Sequence, residues 1–542
     1  MKKTLFFVFV ALVLLKVLLS LFVQVPLGFS DTLSYMEKGK VFHETLNLME
    51  VEKLSKFPPL YPMIISFSFI FSNMEYVHLM IKIINALLSS LIIFPAYLLA
   101  KEFLDKKKSF MTAIIVGVLP PMFSFTSYFM SENLFYTLFL FTIYFIFKAF
   151  KEKKLKWNIL SGVFISLCFM TRNLAIVLFP LVGILILINY NQIKNKLSLI
   201  LASVITILPW IFVRGSIYGF KVSSILGPSE SYRNSVTEAV SGLHLTSKLI
   251  WLFLYLDYLI IATAVIFFIL SVYTILKYKE QNKDMKLFIQ ITLVSTFLFL
   301  IICSNHSGSY DSYTQARTLG RYIEVVLPLF ILLGFIALSK NIKLPNMLKF
   351  VILFYMIITT PLILYDKFFP INNTSLVHVG ILNYFLSTFM ANVVLILTLM
   401  IVFSYLIITM FIKFDEKKIF VFFLLYFLVI SLLNSSVIIY DSQVRWKSTE
   451  PVTLGIWFNK NNDKSNVLFD KKEVDSFVDE TNNNPLSVKK RSTLVMAYWI
   501  RVKYSVDDIT KYHSYNYIVT KSDLDLPVVK EGFDGTKIYK NE

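Results

Sequence analysis

Long apolar segments alternate with short lysine-rich ones along most of the chain. Apolar runs of about 20 residues have the length a helix needs to cross the hydrocarbon of a bilayer. They predict spans near 4–26, 76–100, 109–128, 132–150, 157–171, 174–190, 197–213, 249–276, 287–303, 322–339, 349–365, 385–412 and 419–440, about thirteen in all. The pattern breaks twice. Residues 27–75 read as a polar loop of mixed charge that ends in the turn Pro58-Pro59-Leu60-Tyr61-Pro62. Residues 441–542 are polar, with short apolar runs at Asn466 to Phe469 and Tyr517 to Thr520 and a helix-like stretch at Leu494 to Val502.

Composition agrees with this pattern. The 542 residues are 56% hydrophobic, with a mean hydropathy of +0.66, outside the range of soluble domains. In lipid, helices satisfy their own backbone polar groups, so the expected fold is an all-α polytopic membrane bundle over 1–440. That domain includes the exterior loop 27–75, and a small exterior α/β domain follows over 441–542. The first span begins Lys2-Lys3 and has no small-residue cleavage site, so it reads as a retained anchor.

The net charge of +18 is explained by topology rather than by nucleic acid. With Met1 inside, the inner segments are Lys2-Lys3, 101–108, 148–156, 194–196, 277–286, 340–349 and 413–418, each lysine-rich. This predicts a multi-pass protein of the cell membrane with its N-terminus cytoplasmic and its C-terminal domain outside. Cys168 and Cys303 both lie in apolar spans, which implies no disulfide framework.

Four polar groups then fall on the exterior side: Asp31 after the first span, Ser131-Glu132-Asn133, Thr171-Arg172-Asn173, and Gly320-Arg321-Tyr322 with Glu324 and Pro328. Ionisable residues at membrane depth are costly, and so are functional candidates. Two acids and two arginines on one face suit chemistry on a phosphate near the headgroups. A polyprenyl-phosphate sugar keeps its tail in lipid and presents its sugar outside. Breaking the sugar–phosphate bond leaves an anion that Lys56, Arg172 and Arg321 are placed to stabilise. The attacking hydroxyl needs a carboxylate for its proton, and Asp31 is placed for that. One in-line displacement inverts the anomeric carbon, by analogy with inverting glycosidases.

Each residue also has a plainer role. Asp31 suits a polar stop at a helix end, Arg172 a snorkelling charge, and Lys56 an ordinary loop cation. Glu132 suits a first-turn acid behind the cap Ser131. Arg321 suits a structural pair with Asp311 or Glu324. His43, His306 and His378 lack ligand spacing, so no metal site is expected from them. A divalent cation bridging carboxylate and phosphate stays open, and no other cofactor is implied.

Asp31, the Pro58-Pro59-Leu60-Tyr61-Pro62 run, Ser131-Glu132-Asn133-Leu134-Phe135, Met170-Thr171-Arg172 with Pro180, and Gly320-Arg321-Tyr322 with Pro328 together resemble the integral-membrane GT-C glycosyltransferases. The chain is similar to protein O-mannosyltransferases and to lipid A aminoarabinose transferases, over residues up to about 440. The resemblance implies Asp31 as base, Glu132 as a second catalytic acid, and Lys56, Arg172, Arg321 and Tyr322 around the donor phosphate. It implies a polyprenyl- (dolichyl- or undecaprenyl-) phosphate sugar as donor and a protein, lipid or glycan as acceptor, within membrane lipid. A single Asp31 stands where protein mannosyltransferases carry an Asp-Glu pair. The Trp-Trp-Asp signature of oligosaccharyltransferases is absent, which argues against en bloc transfer of a glycan. A transporter or lipid-linked-sugar flippase is the alternative, although no inverted repeat or paired Gly/Pro-broken spans support it. A non-catalytic scaffold with the tail as binding module ranks third.

Overall fold

A computed structural model of the chain describes residues 2–24, 30–55, 57–152, 154–189, 193–220, 245–308, 320–340, 345–363, 416–440, 442–443, 450–461, 466–472, 496–497, 499–501, 504–533 and 535–541. Among these, eight helices are long and apolar enough to cross a membrane, or nine if one bent pair is a single span. The expected span 385–412 lies outside the described residues.

Helix α1 (Lys2–Leu21) leads into the region expected to be a loop, and here the structure corrects the expectation. That region is mostly helical: α2 (Ser30–Thr45), α3 (Leu48–Leu54), α4 (Leu60–Ile65) and a 3₁₀ turn at Ser66–Ile70. No apolar stripe announces α2, because its inward face carries Asp31, Tyr35 and Lys38 among smaller apolar groups. Gly39 lets α2 settle on α4: a Cβ there would stand 3.2 Å from both Ile65 Cγ1 and the Pro62 carbonyl.

The bundle continues with α5 (Met74–Ser90), α6 (Ile93–Ala100), α7 (Lys106–Gly117), α8 (Pro120–Ser124), α9 (Glu132–Glu152), α10 (Leu155–Thr171), α11 (Leu178–Ile188) and α12 (Ile193–Tyr218). The expected span 109–128 is bent by 69° where α7 gives way to the Pro120-Pro121 turn. Helices α10 and α12 pack closely, since a Cβ on Gly162 would collide with the backbone of Leu199 and Ser203. Ser166 Oγ donates to the Ser203 carbonyl across the same interface at 2.7 Å. Small residues with cross-helix hydrogen bonds hold membrane helices together where burial of apolar surface adds little.

Next come α13 (Leu245–Ala262), α14 (Ile266–Leu276), α15 (Lys283–Ser307), α16 (Gly320–Ile323), α17 (Leu327–Leu338), α18 (Asn346–Ile363) and α19 (Glu416–Tyr440). The single span expected at 249–276 is two helices, because Ala264 and Val265 adopt φ of +51° and +57° and end the α-helical path. Three of the lysine-rich segments meet at one end of the bundle. Glu102 pairs with Lys148 at 3.0 Å and with Lys151 at 2.9 Å, and Lys151 reaches Asp284 at 2.7 Å.

The C-terminal region holds α20 (Glu450–Asn461) and a five-stranded sheet: β1 (Val467–Asp470), β2 (Tyr504–Asp507), β3 (Tyr517–Thr520), β4 (Val528–Glu531) and β5 (Lys537–Lys540), in the order β2-β1-β3-β5-β4. The strands β2, β1 and β3 are parallel, while β5 runs antiparallel to β3 and β4. Of the helix expected at 494–502, the described residues Met496, Ala497 and Trp499 lie in 3₁₀ turns. Met496 and Ile500 enter the core with Leu454, Phe458 and Val467, and Trp499 packs edge-on against His78 at 4.8 Å. Arg501 Nη2 donates to the Phe69 carbonyl at 2.7 Å, and Asn459 Oδ1 accepts from the Met74 amide at 2.9 Å. The sheet region thus rests on the end of the bundle that carries α2.

Candidate active site at the end of the bundle

The four polar groups singled out in the sequence converge. Asp31 sits in the first turn of α2, Glu132 opens α9, Arg172 follows the last residue of α10, and Arg321 with Tyr322 lies in α16. Arg321 Nη2 stands 3.2 Å from Asp31 Oδ2, and its Nε stands 3.6 Å from Glu132 Oε1. Arg172 Nη1 forms an ion pair with the same Glu132 oxygen and donates to Ser131 Oγ at 3.3 Å. Both guanidiniums lie 5.5 Å from the Tyr322 ring centre, a distance at which a cation gains from an aromatic face. The structure does not place Arg321 against Glu324, and Asp311 lies outside the described residues. Lys56 does too, so its place in the site is not described.

The two carboxylates have unlike surroundings. Glu132 is fully buried, whereas the Asp31 side chain is 25% exposed. Glu132 therefore meets two guanidiniums in an enclosed space, while Asp31 keeps a face toward solvent. Burying a lone charge is expensive, so Glu132 needs these cations as much as they need it. The Asp31, Glu132, Arg172 and Arg321 charges sum to zero before any substrate enters.

Several residues of this site were not read from the sequence. Tyr35, one turn beyond Asp31, forms a 2.9 Å hydrogen bond with Ser131 Oγ. Burial, more than the neighbouring acids, pushes its hydroxyl above the usual tyrosine range, so it stays protonated. Behind Arg321, Glu324 is buried and accepts from the hydroxyls of Tyr258 and, at 3.1 Å, Tyr136. Tyr136 also donates to the Arg321 carbonyl at 3.0 Å, which fixes the short helix α16. Four-residue spacing from Asp31 to Tyr35 was a usable signal. The Tyr136 and Tyr258 contacts join distant segments and left none.

The outer part of α2 is sensitive to pH. Burial raises the Glu37 carboxyl to about 7, opposed by Lys40. The folded state then holds a proton that the unfolded chain gives up near pH 4.5, so stability is greatest at low pH and falls as pH rises toward 7. Because Glu37 is partly open to solvent, the loss between pH 5 and 7.5 is expected to be about 1–2 kcal/mol. Melting of the detergent-solubilised protein across that range measures it, and Glu37→Gln should flatten this part of the profile.

Among the described residues no group of three or more His, Cys, Asp or Glu side chains gathers as a metal site.

Residues 56–213 match the family model described as dolichyl-phosphate-mannose-protein mannosyltransferase. No curated protein matches the sequence. Over its whole length the chain is similar in structure to ArnT from Cupriavidus metallidurans in the apo state, with a TM-score of 0.58, 11% identity, 99% of this chain and 98% of that chain covered. It is similar also to the same protein bound to undecaprenyl phosphate, with a TM-score of 0.57, 12% identity and coverage of 98% and 97%. The apo oligosaccharyltransferase of Archaeoglobus fulgidus aligns at a TM-score of 0.47 and 11% identity, covering 94% of this chain and 69% of that chain.

Proposed function

Because the chain has the GT-C fold of integral-membrane glycosyltransferases, we propose that it moves a sugar from a polyprenyl-phosphate donor to an acceptor at the exterior face of the membrane, with inversion. The observation that carries this reading is the pairing of a part-exposed Asp31 with Arg321, backed by the enclosed Glu132 and Arg172. The structural similarity to a protein bound to undecaprenyl phosphate supports the donor class.

The acceptor hydroxyl attacks the anomeric carbon from the side opposite the phosphate. A new C–O bond forms as the sugar–phosphate bond breaks, and the phosphate leaves with the electron pair. The hydroxyl proton passes to Asp31, the exposed carboxylate. Arg321 and Arg172 take up the charge that grows on the phosphate, with Tyr322 beside both guanidiniums. The donor phosphate competes with Asp31 for Arg321, and its arrival loosens the 3.2 Å ion pair and frees the base. Glu132 holds the two arginines at a fixed separation, so their donors are oriented before the phosphate arrives. We assign it that role rather than proton transfer, because it is fully buried. The lysine-rich segments lie in the cytoplasm and the sheet region outside.

Purified protein incubated with a panel of radiolabelled undecaprenyl- and dolichyl-phosphate sugars tests the reading. At least one donor should release free polyprenyl phosphate in step with label appearing on an acceptor or in water. Movement of intact lipid-linked sugar across proteoliposomes without any release would replace this reading with a transporter.

A further inference from the structure

Helix α2 carries three polar side chains in one row, Asp31, Tyr35 and Lys38, spaced by four and three residues so that they share a helix face. The first meets Arg321 and the second Ser131. The third enters a separate charge cluster. Lys38 Nζ lies 3.4 Å from Glu52 Oε2 and also donates to the Phe57 carbonyl, just before the Pro58-Pro59 turn. Glu52, on α3, is approached on its other oxygen by Arg214 Nη1 at 3.4 Å. Trp210 Nε1 donates to Glu52 Oε2 at 3.3 Å, and the Tyr218 hydroxyl donates to the Glu52 carbonyl at 2.6 Å. Trp210, Arg214 and Tyr218 recur every fourth residue of α12, so they too form one row. Lys38, Glu52 and Arg214 are all completely buried.

None of these charged side chains is given a part in the reaction described above, although Phe57, which accepts from Lys38, packs on Tyr35 at 5.1 Å between ring centres. Buried charges are kept at a cost in desolvation, and their best-attested use is to fix one register among several. Here the register is that of α2 against α12. Because α12 packs closely on α10 at Gly162, and α10 ends at Arg172, the clamp refers Asp31 and Arg172 to the same pair of helices.

We propose that Lys38 is a positioning residue, which through Glu52 ties α2 to α12 and so sets Asp31 against Arg321 for catalysis. The catalytic part of this inference rests on the proposed glycosyl transfer, but the tie itself does not. Two variants separate a tie from mere stability. Lys38→Met leaves Glu52 with Arg214 and cuts α2 loose. Arg214→Met leaves Glu52 with Lys38 and keeps α2 held. Each removes one cation from the same acid.

Hydrogen exchange of the backbone amides over 31–38, followed by mass spectrometry, should quicken about tenfold in Lys38→Met and stay near wild type in Arg214→Met. With a donor that wild type turns over, Lys38→Met should lower kcat about 10- to 100-fold with little change in donor KM, while Arg214→Met stays within about threefold. Equal exchange in the two variants overturns the tie, and so does an unchanged rate over 31–38 in Lys38→Met. Faster exchange with full kcat overturns the catalytic consequence. Should wild type turn over no lipid-linked sugar, the proposed function fails while the exchange result still decides the tie. Lys38→Gln, which keeps a donor for the Phe57 carbonyl, serves where Lys38→Met does not fold.

Discussion

Asp31→Asn is expected to lower glycosyl transfer by about 10³-fold, within the range that a positioned general base contributes. Asparagine keeps the shape of the side chain and still offers an oxygen to Arg321 Nη2, now 3.2 Å from Asp31 Oδ2. What it cannot do is take the proton of the attacking hydroxyl. The folded state should barely notice the change. Asp31 is part-exposed, and an ion pair of that kind contributes about 1 kcal/mol or less. Donor KM should stay level or fall, because Arg321 no longer divides its charge between Asp31 and the incoming phosphate. The measurement is kcat and donor KM for wild type and variant on the same labelled lipid-linked sugar, with melting as the control for folding. A kcat within about threefold of wild type would remove Asp31 from the role of base. A large rise in KM with kcat unchanged would instead mark it as part of donor binding.

How much of this site the sequence discloses depends on whether the signal is local. Asp31, Glu132, Arg172 and Arg321 are visible because each is an ionisable residue at the edge of a long apolar run, where the cost of burial makes a charge conspicuous. The same contrast marks the helices themselves and the C-terminal change of character at about residue 441. Strands β1 and β3 fall on the apolar runs expected of them. The helices within 27–75 leave little local signal, because the inward face of α2 mixes Leu33, Tyr35 and Met36 with Thr32 and Lys38, and hydrogen bonds and an ion pair share in its burial. Within 494–502, Met496 and Ile500 pack in the core of the sheet region and Trp499 against His78 of the bundle, contacts that no local spacing announces. Lys38, Glu52 and Arg214 give no signal in the sequence, since their pairing spans Lys38 to Arg214 and no periodicity predicts it. The break at Ala264 and Val265 carries no glycine or proline to announce it.

Glu132→Gln carries the largest expected cost to the fold. One Glu132 oxygen faces both Arg172 Nη1 and Arg321 Nε, and the residue is wholly enclosed. Removing its charge leaves two guanidiniums near one another in a buried space, with Asp31 the only acid of the set left to face them. Removing one member of a buried ion pair costs about 3–5 kcal/mol, because the remaining charge keeps its desolvation penalty and loses its partner. The variant should therefore express poorly or melt well below wild type in detergent. An added anion offers a second readout. If the arginines hold the donor phosphate, then undecaprenyl phosphate supplies the missing negative charge and binds the folded variant preferentially. At a concentration about 100-fold above its Kd such a ligand stabilises the folded state by about 2.7 kcal/mol. Undecaprenyl phosphate should thus raise the Tm of Glu132→Gln more than that of wild type, where Glu132 already neutralises the pair. The uncharged undecaprenol, with the same tail, should raise neither. A variant as stable as wild type would mean that Glu132 is not what holds the two arginines. Equal shifts with phosphate and alcohol would mean that the cations do not read the headgroup.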